Sequence, residues 1–392
     1  VLWCASVLVV HIIGVFALST TGIHGSDSSE FVLSAVLGSR IHPPGYPLLS
    51  LWGGLFQWLS DNPMWNTAVA MGLLHSVAAT LLFDALHRWT KDRWLSVWVV
   101  AILCAQPLWI RYSTIPEAFP ALSLVYAGVV WLLSIERMTM RHAWVFATIL
   151  CLGIGTHHLF VFTAPALLWL CWQLRRMWWV WSLGILAGFC SYGVLFLESQ
   201  SEWSWGLVSN STDVLRYFLR ADYGPFQITH HAQVGTWWGT PLVYIKALVI
   251  ESWGVFAVGA IALSKLRRKE VLLLLSWILA SVTVLALFGM PTDSTYLAHS
   301  NRFFVSSMVL WMPFVAIGAK KVLNNLSSQL VLWLRAMLFV PIGLMVLNVR
   351  VAGHFDTRMQ DWLDHSCGVL PDGSLVFVAG DGAVFGSVLG QE

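Results

Sequence analysis

Two carboxylates three residues apart, Asp27 and Glu30, sit in the connection GSDSSEFVLSAVLGSRIHPPGYPLL at 25 to 49, together with Arg40 and His42. If Ser26 caps a helix starting there, both acids lie on its first turn and face similar directions. A carboxylate so placed can take the proton of an attacking hydroxyl. A plainer reading exists, in which Ser26 and Asp27 only cap a juxtamembrane helix and Glu30 is solvated; from the pair alone it is favoured, because acids in first turns suit the helix dipole. The next segment, IHPPGYP, cannot be regular helix at its centre, since its prolines remove donors and push preceding residues to extended geometry. Such a corner either holds His42 and Tyr46 at the membrane surface or simply redirects the chain. An ionisable group at a bilayer boundary costs several kcal/mol unless paired, hydrated or in use, so four in one connection call for a function.

The elements that must position these residues are membrane helices. With 57% hydrophobic and 11% charged residues, the chain is no ordinary soluble domain, in which about a quarter of residues are charged. The 24 Trp suit many water–lipid boundaries, and a net charge of +2 does not point to nucleic acid. Cys4, Cys104, Cys151, Cys171 and Cys190 lie in apolar runs and Cys367 in a polar tail, so no disulfide framework is read. There is neither a metal-spaced Cys/His cluster nor a Gly-rich phosphate loop. Val1 opens inside an apolar run with neither Met nor basic leader, which predicts a trimmed or processed N-terminus.

Apolar windows of about 20 residues predict about 11 spans, near 1–20, 64–87, 95–111, 116–135, 143–157, 159–174, 177–197, 241–263, 271–290, 303–319 and 329–349. The run 45–59 is ambiguous, and charge decides it. If it does not cross, Arg88, Lys91, Arg93, Arg137, Arg141, Arg175, Arg176, Lys265, Arg267, Arg268, Lys269, Lys320 and Lys321, 13 of the 22 Lys and Arg, fall on one side. That side is the cytoplasm by the positive-inside rule. The run 45–59 is therefore expected to lie along the interface, with Trp52 and Trp58 at headgroup depth. The polar connections 21–63, 198–240 and 291–302 and the tail 350–392 then share the opposite face. This organisation predicts a transmembrane domain at 1–349 followed by a non-cytoplasmic tail, the start of a truncated soluble domain.

GSDSSEF followed by HPPGYPLL resembles the Gly-Asp-Ser-Gly-Glu and His-Pro-Pro-Gly-Tyr-Pro signature of multi-pass proteins related to protein O-mannosyltransferases, within the GT-C class of lipid-sugar-dependent glycosyltransferases. IPEAF at 115–119, GTHH at 155–158, FLRADYGPF at 218–226 and NRFF at 301–304 resemble further family segments in order, and GDGAVF at 380–385 is a weaker match. Ser29 stands where the family usually has Gly, which leaves both acids in place. Relatives often continue past the equivalent of Glu392 into a soluble domain, which puts the acceptor-binding half in doubt.

The resemblance implies an all-α polytopic GT-C fold with juxtamembrane helices in the first external loop. It further implies inverting transfer of a mannose-like sugar from a polyprenyl-phosphate carrier to an acceptor hydroxyl on the non-cytoplasmic face, with Asp27 as general base beside Glu30. The leaving phosphate needs cationic help, which Arg302 and Arg220 would supply in bidentate fashion; the alternative for Arg302 is a snorkelling anchor at a span end, with the phosphate role slightly ahead there and the two readings even for Arg220. His42, Tyr46, Glu117, His157, His158, Asp222 and Tyr223 complete the expected substrate-binding set. Glu117 would orient Asp27, His42 or the acceptor, or else is an acid favoured by a helix N-terminus. His157 and His158 could meet phosphate or a divalent ion, but two ligands make no metal site, and no metal is assigned. Glu251, mid-span, is a functional candidate by default, and a hydrogen bond to a neighbouring span explains it as well. The expected partners are membrane lipid, a lipid-linked sugar donor, a protein or glycan acceptor and a membrane complex, in a bacterial inner membrane or an ER-like one. Two other readings compete: a non-catalytic subunit keeping the fold as a scaffold, and a transporter. Retention of Asp27, Glu30 and Arg302 argues against the first, and the scarcity of mid-membrane charge against the second.

Overall fold

The computed structural model describes residues 2–24, 27–197, 204–221, 238–251, 254–288 and 294–327, with isolated positions at 329, 343, 347–351, 361 and 365; of 294–300, only the helical backbone is described. Apart from those isolated positions, the span expected at 329–349 and the tail lie outside this description, as do Asp222, Tyr223 and the side chain of Glu251.

Among the described residues every regular element of the chain is a helix. Its helices are α1 (Leu2–Leu18), α2 (Ser28–Leu37), α3 (Pro47–Gly54), α4 (Pro63–Thr90), α5 (Arg93–Cys104), α6 (Pro107–Tyr112), α7 (Phe119–Ser134), α8 (Met140–Thr156), α9 (Ala164–Gln173), α10 (Trp178–Cys190), α11 (Val194–Leu197), α12 (Ser211–Phe218), α13 (Gly239–Glu251), α14 (Val255–Ala262), α15 (Arg268–Ile278), α16 (Val284–Phe288) and α17 (Ser294–Leu323). Among the described residues, four stretches are each long and apolar enough to cross a membrane: Pro63–Thr90, Arg175–Leu197, Arg268–Leu287 and Asn301–Leu323. At 28 residues, α4 rises about 42 Å, more than the ~30 Å hydrocarbon core.

Local chemistry sets where helices start and stop. Asn62 caps α4 by accepting from the Trp65 amide at 2.9 Å, Pro63 occupies its first turn, and Asp92 caps α5 through the Leu95 amide at 3.1 Å. The span expected at 95–111 is two helices, because Pro107 forces Gln106 to extended backbone and ends α5 early. Expected span 241–263 is likewise split, into α13 and α14, whereas α15 runs into α16 through a π-helical turn at Leu279–Thr283.

The run 45–59 contains only the eight-residue α3, whose rise of about 12 Å is too short to cross. It packs on α2, α4 and α8. Trp58 is exposed, and Trp52 donates its indole to the Ala70 carbonyl on α4 at 2.7 Å, which ties α3 to α4.

Helices α4, α7 and α17 form the centre of the bundle, with α1, α8, α10 and α14 packed around them. Lysines seal one end. Lys320 donates to the Thr90 carbonyl, Lys269 to Ile135 at 2.6 Å and Lys321 to Ala262 at 3.2 Å, each meeting carbonyls at a helix C-terminus, where cations are favoured. The acids of the first connection lie at the opposite end, beside the start of α7.

Candidate active site

Helix α2 begins after Asp27, which has helical backbone (φ −75°) and makes no capping bond with its side chain. Its carboxylate turns inward, and Oδ2 accepts from Arg302 Nη1 at 2.6 Å. Glu30, one turn on, is 2% exposed. Its Oε2 accepts three hydrogen bonds: from the His42 amide at 3.0 Å, His42 Nδ1 at 2.9 Å and Trp205 Nε1 at 3.0 Å. A buried carboxylate is tolerable only with such partners.

The proline corner aims the imidazole. Gly45 donates its amide to the His42 carbonyl at 2.9 Å and has φ +93°, where a Cβ would come 2.9 Å from the Tyr217 ring. Both constraints suit only glycine. Tyr217 donates its hydroxyl to the Ile41 carbonyl, tying α12 to the corner. His42 Nε2 then faces Asp27 Oδ2 at 3.9 Å and the Tyr46 hydroxyl at 3.5 Å. Burial opposes a charge on His42, yet the Glu30 and Asp27 carboxylates outweigh it and push the imidazole up to about 9. At neutral pH His42 is therefore a cation.

Glu117 is buried beside this cluster. Burial first and the Asp27 charge second push its carboxyl up to about 8, against the lowering influence of Arg302. At neutral pH it is a neutral acid, and its Oε2 has no partner among the described residues. The site thus sets the carboxyl groups of Asp27 and Glu30 against Arg302 and His42, with Glu117 pushed toward its neutral form by burial and by Asp27.

The structure brings Asp27, Glu30, His42, Tyr46, Glu117 and Arg302 together. Tyr46 packs its ring on Phe31, His42 and His157, and burial raises its phenol above the ordinary range. His157 and His158 have structural partners: His157 Nδ1 accepts from the Leu159 amide at 3.2 Å, and His158 Nε2 lies 3.3 Å from the Tyr192 hydroxyl. Arg220, at φ +52°, is near enough for its charge to act on Tyr46 and His157. Arg40 clamps the second loop, donating to the carbonyls of Trp205 at 3.3 Å and Gly206 at 2.7 Å.

Sequence reasoning did not single out Trp205, whose indole completes the Glu30 shell. Among 24 Trp it carries no distinguishing spacing. Ser26 lies outside the described residues, and the N-cap position belongs to Asp27.

Asp27, Glu30 and His42 offer three ligand atoms within 4.8 Å of one another, a spacing that suits a small cation. Their charge is already met by Arg302 and by the proton on His42.

The raised His42 value carries a stability prediction. Protonated His42 stabilises the fold fully below its unfolded value near 6.5, and this is lost as pH rises through about 9. Glu117 acts in the same direction: the unfolded chain releases this proton near 4.5 while the folded site keeps it to about 8, so folding weakens as pH rises between those values. Tm of the purified protein should fall from pH 6.5 to pH 9, and Glu30→Gln should flatten the slope. A Tm that rises over this interval contradicts the assignment.

Residues 27–179 match the family model described as the protein O-mannosyl-transferase TMEM260 N-terminal domain. A protein O-mannosyl-transferase tmem260 of Dictyostelium discoideum is 24% identical over 237 residues, 53% of this chain and 29% of that protein. The TMEM260 protein O-mannosyl-transferase of Mus musculus is 22% identical over 399 residues, 91% of this chain and 56% of that protein. The chain thus spans about half or less of the length of these curated relatives. Among solved structures it is similar to ArnT from Cupriavidus metallidurans, in the apo state (TM-score 0.63) and bound to undecaprenyl phosphate (0.62), each at 13% identity over 99% of this chain and 84% of that one. At that identity the likeness is one of fold. Matched segment, named relatives and fold agree: the chain is similar to the TMEM260 protein O-mannosyl-transferases and shares the fold of ArnT.

Proposed function

We propose that the chain transfers a sugar, mannose-like by its relatives, from a polyprenyl-phosphate carrier to an acceptor hydroxyl on the non-cytoplasmic face. The Asp27–Arg302 pair at 2.6 Å carries this reading. It joins the two groups such a reaction needs, a base for the acceptor and a guanidinium for the leaving phosphate. ArnT, of the same fold, binds undecaprenyl phosphate, and the curated relatives are named as protein O-mannosyl-transferases.

In the proposed sequence the carrier phosphate draws Arg302 from Asp27 and frees the carboxylate. The acceptor oxygen attacks the anomeric carbon as its proton passes to Asp27. The carbon–oxygen bond to phosphate breaks on the opposite side, inverting the centre, and the phosphate leaves with its negative charge on Arg302, helped by the nearby His42 cation. Glu30 holds His42 in place, and Glu117, neutral, offers a hydrogen bond without competing for the phosphate. Transfer of radiolabel from a polyprenyl-phosphate sugar to acceptor, measured in membranes carrying the chain, tests the reading. No transfer from any such donor would remove it.

The face rests on the basic residues clustered at the far end of the bundle. Cysteines introduced beside Arg88 should react with an impermeant reagent only from the cytoplasm. Labelling from outside would invert the proposed topology.

A further inference from the structure

A histidine with no part in the proposed chemistry lies inside the bundle. His75 on α4 is 0% exposed, and both its ring nitrogens are bonded: Nδ1 to Ser113 Oγ at 2.7 Å and Nε2 to Ser123 Oγ at 3.1 Å. From Ser123 the bonds continue to Ser306 Oγ at 3.2 Å and end on the Phe119 carbonyl at 3.2 Å. A neutral imidazole has one donor and one acceptor, and each hydroxyl has one proton. With Nε2 carrying the proton, donation runs toward the site: Nε2–H to Ser123, Ser123 to Ser306, and Ser306 to the carbonyl. At the other end the single Ser113 proton is shared between the Trp109 carbonyl at 2.6 Å and His75 Nδ1 at 2.7 Å.

Packing holds this chain rigid. The Trp109 indole stacks on His75 with ring centroids 4.0 Å apart and planes 10° apart. Gly72, one turn earlier on α4, lets Ser113 come close, since a Cβ there would lie 2.3 Å from the Ser113 carbonyl. The far end of the chain meets the site. Ser306 is one turn beyond Arg302 on α17, and Phe119 follows Glu117 by two residues with its ring centroid 5.9 Å from the Arg302 guanidinium carbon. The Ser306–Phe119 bond therefore fixes the height of Arg302 against the start of α7.

We propose that His75 is a positioning residue which, through Ser123 and Ser306, holds α17 in the register that presents Arg302 to the carrier phosphate. The inference rests on the function proposed above. Its test is binding of undecaprenyl phosphate to the purified full chain in nanodiscs. Ser306→Ala removes one hydroxyl and little volume, avoiding the folding risk of His75→Leu. It should weaken binding about five- to tenfold, the worth of one buried hydrogen bond, and Ser306→Thr should restore it. In an Arg302→Lys background, Ser306→Ala should add little, because the register serves the guanidinium. If the unmutated chain binds no undecaprenyl phosphate, the proposed function fails and this inference with it. If it binds but Ser306→Ala binds equally well, or loses the same factor in both backgrounds, the positioning role is wrong and the proposed function stands.

Discussion

Asp27→Asn should leave the protein folded and able to bind its lipid carrier while sugar transfer falls by ~10² to 10⁴, the usual contribution of a general base. The substitution keeps the shape of the side chain and an oxygen for Arg302, but removes the charge and the basic lone pairs that would take the acceptor proton. Asp27 is partly exposed (17%) and not embedded in the core, so losing its charge should disturb the fold little. Transfer from a radiolabelled lipid-linked donor, normalised to folded protein, is the measurement. Transfer by Asp27→Asn at the unmutated rate would end the base assignment, whatever the donor proves to be.

Glu30→Ala should act on the fold more than Asp27→Asn does. It strips the acceptor from three donors at once, the His42 amide, His42 Nδ1 and Trp205 Nε1, and leaves a buried imidazolium without its nearest anion. Removing one partner of a buried pair costs ~3–5 kcal/mol, which should appear as a large fall in Tm and weaker attachment of the 204–221 segment. Glu30→Gln, which keeps an acceptor oxygen, should lose much less stability. Equal Tm for Glu30→Ala and the unmutated chain would show that the Glu30–His42–Trp205 cluster does not hold the loop.

Much of this architecture is legible in the sequence because membrane helices are written in long apolar runs. The runs behind α4, α10 and α17 fall where hydropathy puts them. Breaks are harder to see: the split between α5 and α6 turns on Pro107 alone, and the one between α13 and α14 on Glu251 and a positive-φ glycine, Gly254, within an otherwise apolar run. Candidate site residues were readable for a related reason. Asp27, Glu30, His42, Glu117 and Arg302 are rare ionisable residues in a chain that avoids charge, and one assumption about topology puts them all on one face. Trp205 and His75 escaped because their types carry no such contrast. A Trp is common here, and one His within an apolar helix reads as an ordinary satisfied core residue until Ser113, Ser123 and Ser306, far apart in sequence, are seen to meet it. Pairing, too, was not in the sequence: nothing in it says that Arg302 closes on Asp27 while His42 closes on Glu30.

That division of partners is what the proposed reaction needs, and a structure of the chain with a polyprenyl phosphate tests it most directly. The account predicts density for the phosphate beside Arg302 and Asp27, with the guanidinium turned onto the phosphate oxygens and its 2.6 Å contact with Asp27 Oδ2 opened. Phosphate density elsewhere in the bundle, with Arg302 still closed on Asp27, would contradict it.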